Sequence, residues 1–297
     1  MLASSSFQSD RSKFHVYVNG TFFYTGFPFG LEVRIVGNQS WYALARGLDP
    51  LSVHQITIWY VTDPITLDWP YLPPESLTIH AFSIDAGSFS SDQPQRHRRL
   101  QIIGDSITAG NQIDPIGCES DHSGTYAAQL CEHFHANCTT LAISGKGIYQ
   151  NCCDDNVTMT ELFKYAIPGE PGSLFQDTDF SPDAVLLNLG TNDMGRNDGS
   201  LSWADAFIQT YANFLVNLTR IHGSQSLPIF CGVGPMNHSY MPLVQSAIEL
   251  ARSAGVQGAQ VVNYSTVQDG CGGHPGRIGH WQMSEIAKPI IAATLGW

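Results

Sequence analysis

No apolar run in the 297-residue sequence approaches the roughly 18–20 residues that cross a bilayer, which excludes a membrane-spanning helix. Basic residues are scarce: 14 Lys and Arg stand against 26 Asp and Glu, a net charge of -12. That balance excludes nucleic acid and anionic membrane as partners, because both select basic patches. One basic cluster, Arg96-His97-Arg98-Arg99, is short and reads as a solvated linker edge. There is no cysteine before Cys118 and no C-x-x-C pair, so zinc or thioredoxin-like chemistry has no support and no metal or organic cofactor is expected. The opening MLASSSFQSD carries no basic segment followed by an apolar run, so no signal peptide is expected there. Internal repeats and low-complexity tracts are missing too. What is present is a core: 43% hydrophobic and 11% aromatic residues exclude a mostly disordered chain.

Two features suit an oxidising, secretory compartment. Seven of the thirteen asparagines open Asn-x-Ser/Thr triplets, at Asn19, Asn38, Asn137, Asn156, Asn217, Asn237 and Asn263. Such enrichment points to a secreted, extracellular glycoprotein. The cysteines are Cys118, Cys131, Cys138, Cys152, Cys153, Cys231 and Cys271. Seven is odd, so up to three disulfides and at least one unpaired thiol are expected. The adjacent Cys152 and Cys153 are expected to pair with other cysteines rather than with each other. A monomer is expected.

The chain has two textures. Residues 14–90 hold short alternating runs, FHVYV, LEVRIV, HQITIWYV and LTIHAFSI, separated by Asn19-Gly20, Gly37-Asn38, Asp49-Pro50 and Pro73-Pro74. Short β-branched and aromatic runs at about ten-residue spacing predict an antiparallel β-sandwich over residues 1–92. Residues 93–99 read as a polar, proline-bearing linker. From residue 100 to 297 apolar runs alternate with helical segments. The runs are LQIIG (100–104), TLAI (140–143), AVLLNL (184–189), PIFCGV (228–233) and QVVNY (260–264). The helical segments are 125–134, 203–222, 242–254 and 279–295; in the second, Phe207, Tyr211, Phe214, Leu215 and Leu218 form a stripe. This alternation predicts an α/β domain, three layers deep, around a five-stranded parallel sheet.

Ligands of such sheets bind beyond the carboxyl ends of the strands, so each end matters. The first runs into Gly104-Asp105-Ser106-Ile107-Thr108-Ala109-Gly110, which presents a serine at a helix start. The second ends in Ser144-Gly145-Lys146-Gly147, where a glycine lets backbone approach a substrate oxygen. The third ends in Gly190-Thr191-Asn192-Asp193, an amide that can face a developing oxyanion. After the last come Asp269, His274-Pro275 and Gly279-His280-Trp281, and a histidine there can take a serine proton. Each string alone is commonplace: a helix cap, a glycine turn, an Asx turn, a lone histidine. The ordered set at successive strand ends is not.

This order and these strings resemble the SGNH hydrolases, also called the GDSL esterase/lipase superfamily, over about residues 100–297. The resemblance implies Ser106 as nucleophile and His274 as base. It implies an oxyanion hole of the Ser106 and Gly145 backbone N–H groups and the Asn192 side chain. The β-rich segment followed by IIGDSITAG, with AISGKG and the His-Pro pair, also resembles carbohydrate esterase family 2. Those proteins join a small jelly roll to an SGNH domain, and the resemblance implies an acetylesterase of plant polysaccharides such as xylan and glucomannan, including O-6 acetyl groups. The acetylated poly- or oligosaccharide would be the partner. Trp281, Tyr149 and Asp193 are candidate substrate contacts.

One departure stands out. The family's aspartate lies two or three residues before the histidine, and here those positions are Gly272 and Cys271. The nearest acid is Asp269. A Ser–His dyad with a backbone carbonyl steadying the imidazole is therefore expected. Two other readings remain open: a lipase or phospholipase of the same superfamily, and a carbohydrate-binding protein with a degenerate site. The N-terminal segment is also shorter than the family's jelly roll.

Overall fold

The structure is a computed structural model describing residues 2–4, 13–20, 30–34, 40–63, 78–85, 87–89, 96–153, 156–168, 172–174 and 180–297. It divides into two units, Met1–Gln95 and Arg96–Trp297.

The first unit contains β1 (Leu2–Ser4), β2 (Lys13–Val18), β3 (Gly30–Arg34), β4 (Ser40–Trp41), β5 (Ile56–Tyr60) and β6 (Thr78–Ala81). They form two antiparallel three-stranded sheets, ordered β4-β1-β6 and β3-β2-β5. Strand β2 is central, and its partners set the register: Phe14 pairs with Tyr60 and Val16 with Ile58. Phe14, Val16 and Leu44 make a small core, with Tyr42, Ile56, Ile58 and Tyr60 packed on it. The runs expected as strands lie in β2, β3, β5 and β6. Gly37-Asn38, Pro73-Pro74, the Asn38 triplet and linker residues 93–95 lie outside the described residues.

The second unit carries the predicted parallel sheet. Its strands are β7 (Arg99–Gly104), β8 (Asn137–Ala142), β9 (Ala184–Asn188), β10 (Ile229–Val233) and β11 (Ala259–Asn263), in the order β11-β10-β9-β7-β8. All four pairings are parallel. The helices are α1 (Ser106–Ala109), α2 (Tyr126–His133), α3 (Met159–Leu162), α4 (Thr191–Met194), α5 (Leu201–Ile221), α6 (Met241–Ser253) and α7 (Arg277–Leu295). Strands β9 and β10 are buried throughout and read as unbroken apolar runs, as covered parallel strands should. Strand β8 lies at an edge and is largely half-buried or exposed, with Asn137 and Thr140 exposed and only Ala142 buried.

One sheet face packs Leu100, Ile102, Leu186, Phe230 and Val262 against Tyr126, Leu130 and Phe134 at α2 and Met283, Ala287 and Ile291 of α7. Helices α5 and α6 pack on each other. The predicted stripe of α5 is buried in full, with Trp203 added one turn earlier, and the Ser200 hydroxyl caps the helix by accepting the Trp203 N–H at 3.1 Å.

The basic cluster differs in part from its expected role. Arg96 pairs with Glu132 at 3.1 Å, Arg98 lies 5.1 Å over the Trp297 ring, and Arg99 opens β7. Two guanidinium groups, Arg96 and Arg98, thus tie the start of the second unit to α2 and the carboxyl terminus, while Arg96 and His97 stay exposed as expected of a solvated edge. The strand order reverses between β7 and β9, since β8 lies outside β7 and the later strands continue on the other side. Backbones diverge at such a switch point and leave a crevice beyond the carboxyl ends.

Candidate active site

Ser106 and Asn192 follow the two strands that flank the switch point. Ser106 begins α1, and Asp105 caps it by accepting the Ile107 N–H at 3.0 Å. The other carboxylate oxygen of Asp105 accepts from the Asn192 Nδ2 at 3.2 Å, so one aspartate ties both strand ends together. The Ser106 N–H occupies the first turn of α1, where backbone donors have no partner within the helix.

The Ser106 hydroxyl meets the His274 Nε2 at 2.9 Å. These residues stand 168 positions apart in sequence. The histidine arrives on the segment between β11 and α7, which must cross from an edge strand to the end of β7. Burial holds the His274 imidazole below its ordinary pKa, with the Cys271 carbonyl opposing. A lowered pKa keeps the ring neutral and able to accept a proton near neutral pH. Its Nδ1 is buried and, among the described residues, has no hydrogen-bond partner. The Cys271 carbonyl receives the His274 backbone N–H at 2.9 Å, and among the described residues no carboxylate is hydrogen-bonded to the ring.

Asp269 is occupied elsewhere. Its carboxylate accepts the N–H groups of Gly276 at 2.8 Å, Gly279 at 2.9 Å and Ile278 at 3.1 Å, capping the start of α7. Burial pushes its pKa up, but these bonds win and hold it below the ordinary carboxylate value.

Gly145 follows β8 in the left-handed region, at φ +77°. A Cβ there would stand 3.1 Å from the Cys152 Sγ, so the turn needs glycine for conformation and for space. The Gly145 carbonyl accepts the Cys152 N–H at 3.0 Å. Asn192 closes the ring of contacts: its Nδ2 donates to the Lys146 carbonyl at 2.9 Å as well as to Asp105. Ser106, Gly145, Asn192 and His274 therefore converge through a few shared partners.

Asp193 takes a structural part, hydrogen-bonding the site's loops, and not that of a substrate contact: it is fully buried. Its carboxylate accepts the N–H groups of Tyr149 at 2.7 Å, Gln150 at 2.8 Å and Ile148 at 3.1 Å, so it clamps the loop after Gly145 and offers nothing to a ligand. Burial pushes its pKa up to about 6 against the pull of those bonds. Tyr149 is half-buried with its ring edge on Trp203, 5.8 Å between centroids. Trp281, one turn into α7, is 54% exposed and leaves an indole face open.

The cysteines hold the other surprise. The pairs are Cys118–Cys271, Cys131–Cys138 and Cys152–Cys153, with Cys231 buried and free. The adjacent pair bonds to itself, contrary to expectation, beside Gly145. Adjacency argued against that ring, which closes just after the Ile148, Tyr149 and Gln150 N–H groups that Asp193 holds. The role of Asp269 at α7 and the bridge three residues before His274 were also missed. Cys271, three residues before His274, was the available signal.

The chain belongs to the GDSL-like lipase/acylhydrolase family, whose profile matches residues 102–284. Among curated proteins it is 26% identical over 273 residues to the cellulase/esterase CelE of Acetivibrio thermocellus, covering 82% of this chain and 30% of that one. The chain thus spans less than a third of that relative. Among solved structures it resembles an acetyl xylan esterase, Est2A, from the rumen bacterium Butyrivibrio proteoclasticus. There the TM-score is 0.84 at 18% identity, covering all of this chain and 86% of the other. A family two carbohydrate esterase from Clostridium thermocellum, solved with cellohexaose, gives a TM-score of 0.82 at 22% identity, covering all of this chain and 89% of the other. These structures share its fold.

Proposed function

We propose that this protein is a secreted serine esterase that removes acetyl groups from plant polysaccharides of the acetylxylan or acetylglucomannan type. The observation that carries this reading is the 2.9 Å contact between Ser106 Oγ and His274 Nε2 at the switch point of the sheet. The esterase names of the relatives support it.

In the first half-reaction Ser106 Oγ attacks the acetyl carbonyl while His274 Nε2 takes the hydroxyl proton. The tetrahedral oxyanion is held by the Ser106 and Gly145 N–H groups and the Asn192 amide. Both amide hydrogens of Asn192 already have acceptors, Lys146 O and Asp105 Oδ2, so the oxyanion takes over one of them, the longer Asp105 bond first. The carbon–oxygen bond to the sugar then breaks, His274 returns the proton to the sugar oxygen, and an acetyl-enzyme remains. Water, deprotonated by the same imidazole, releases acetate and restores Ser106. The exposed Trp281 face and the Tyr149 ring edge supply apolar surface to a sugar ring. The catalytic part is assigned to residues 100–297 and a jelly-roll-like domain to residues 1–92.

Secretion is supported by three disulfides and by the placement of the Asn-x-Ser/Thr triplets. Asn19, Asn137, Asn156 and Asn263 are exposed, and Asn217 and Asn237 are half-buried.

The test is acetate release from acetylated glucomannan and xylan, with Ser106→Ala alongside. Wild-type release that the variant loses is the expected result. A folded wild type that releases no acetate would overturn the reading. A 4-nitrophenyl ester series whose activity rises with acyl length would then favour a lipase, and glycan binding without hydrolysis a degenerate binder.

A further inference from the structure

The esterase reading leaves a mechanical question. A general base must be held within a fraction of an ångström of its proton, and a misplacement of about 1 Å can cost roughly 100-fold in rate. His274 has few ordinary means of staying in place. Its Nδ1 has no hydrogen-bond partner among the described residues. Its nearest acid, Asp269, is committed to three N–H groups at α7. The loop that carries it reads Gly270-Cys271-Gly272-Gly273-His274, with Gly272 at φ +58° and Gly273 at φ +80°. Glycines in that conformation leave the backbone many alternatives to lose, so the sequence itself makes this loop loose.

We propose that the Cys118–Cys271 disulfide is the device that positions His274, in place of a carboxylate on its ring. This rests on the esterase reading above.

Cys271 is held on three sides. Its sulfur is bonded to Cys118, 153 residues away in sequence. Its N–H donates to the Gln112 carbonyl at 2.9 Å. Its own carbonyl accepts the His274 N–H at 2.9 Å, and the His274 carbonyl accepts the Gly270 N–H at 3.0 Å. The bridge therefore anchors a closed turn whose last residue is the base. The other end is anchored as firmly. Cys118 and Gln112 belong to the segment that follows α1, in which Asn111 N–H returns to the Ser106 carbonyl at 2.9 Å. One covalent link thus joins the loop of the nucleophile to the loop of the base.

A carboxylate would act on the ring, fixing its tautomer and stabilising its charge. The disulfide acts on the backbone, fixing where the ring stands. It supplies geometry and no charge. Cys118 and Cys271 are positioning residues and touch no reacting atom.

The test compares two bridges in the full chain. Cys118→Ser with Cys271→Ser is expected to lower kcat for acetate release by about 10- to 100-fold while KM stays within about twofold. Cys131→Ser with Cys138→Ser opens the bridge between the end of α2 and the start of β8, away from the site. It is expected to lower the melting temperature and leave kcat unchanged. An unchanged kcat in the folded Cys118/Cys271 variant overturns the proposal, as does an equal loss of kcat in both variants. Should the Cys118/Cys271 variant not fold, native enzyme is treated with graded water-soluble phosphine and its bridges are assigned by mass spectrometry. Turnover is expected to fall as the Cys118–Cys271 bridge opens, and turnover that survives its opening overturns the proposal. A wild type without acetate release would instead be a failure of the esterase reading.

Discussion

A primary amide has two N–H donors, and in Asn192 both are committed before any substrate arrives. This gives the residue two duties: it joins the Gly145 loop to the Ser106 turn, and in the proposed mechanism it faces the oxyanion. Removing one oxyanion donor typically costs about 10²–10³ in kcat. Asn192→Ala is therefore expected to lower kcat by about that factor with little change in KM, and circular dichroism should show the fold retained. A variant with near-normal kcat would remove Asn192 from the site. Gly145 carries a stricter limit, since a side chain there meets the Cys152 sulfur in a left-handed turn. His274 is governed by burial, which keeps it neutral, more than by any partner on its far nitrogen.

Among the elements, α7 shows how a local cap can be mistaken for catalysis. Asp269 lies close to His274 in sequence and is the natural candidate for a triad acid, but its oxygens satisfy three of the orphan N–H groups around the start of α7. Asp269→Asn is expected to cost about 1–2 kcal/mol of stability, as lost caps do, and to change kcat far less than Asn192→Ala. Urea denaturation midpoints check the first part and acetate release the second. A collapse of kcat at unchanged stability would return Asp269 to the catalytic chain. The five strands, the four long helices and the strings at the strand ends were legible in sequence because parallel strands and amphipathic helices each write a simple period. Contacts that depend on which loop meets which were not. The sulfur pairing at Cys152–Cys153 and the use of Arg96 and Arg98 as ties to α2 and Trp297 are both set by tertiary neighbours. No period encodes them.

At the scale of the whole molecule, the buried titratable groups of the second unit make opposing demands on pH. Burial lowers the pKa of His122, His274 and His280, the last to about 3. The unfolded chain takes up protons on these rings near pH 6.5 while the folded one does not. Their contribution to stability is thus present above pH 6.5 and is lost as pH falls, for His280 down to about pH 3. Asp193 has the opposite sign: its folded pKa is raised to about 6, so its contribution is present below the ordinary carboxylate pKa and lost as pH rises through 6. Between about pH 6 and the ordinary carboxylate pKa, Asp193 offsets His280, one proton against one, while the lowered His122 and His274 add a loss toward acid below pH 6.5. Stability is expected to be lower at pH 4 than at pH 6.5, and the His280 contribution, taken alone, runs from pH 6.5 down to about pH 3. His280 stacks on Tyr126, 6.1 Å between ring centroids and 3° between planes, and its Nδ1 accepts the Tyr126 N–H at 3.2 Å, so His280→Phe removes the proton site and lowers stability at every pH. Its urea midpoints should depend less on pH than those of the wild type. Asp193→Asn removes the opposing term, and its midpoints should fall more steeply toward acid. Midpoints that hold level or rise from pH 6.5 to pH 4 in the wild type would show that these buried groups do not govern its acid stability.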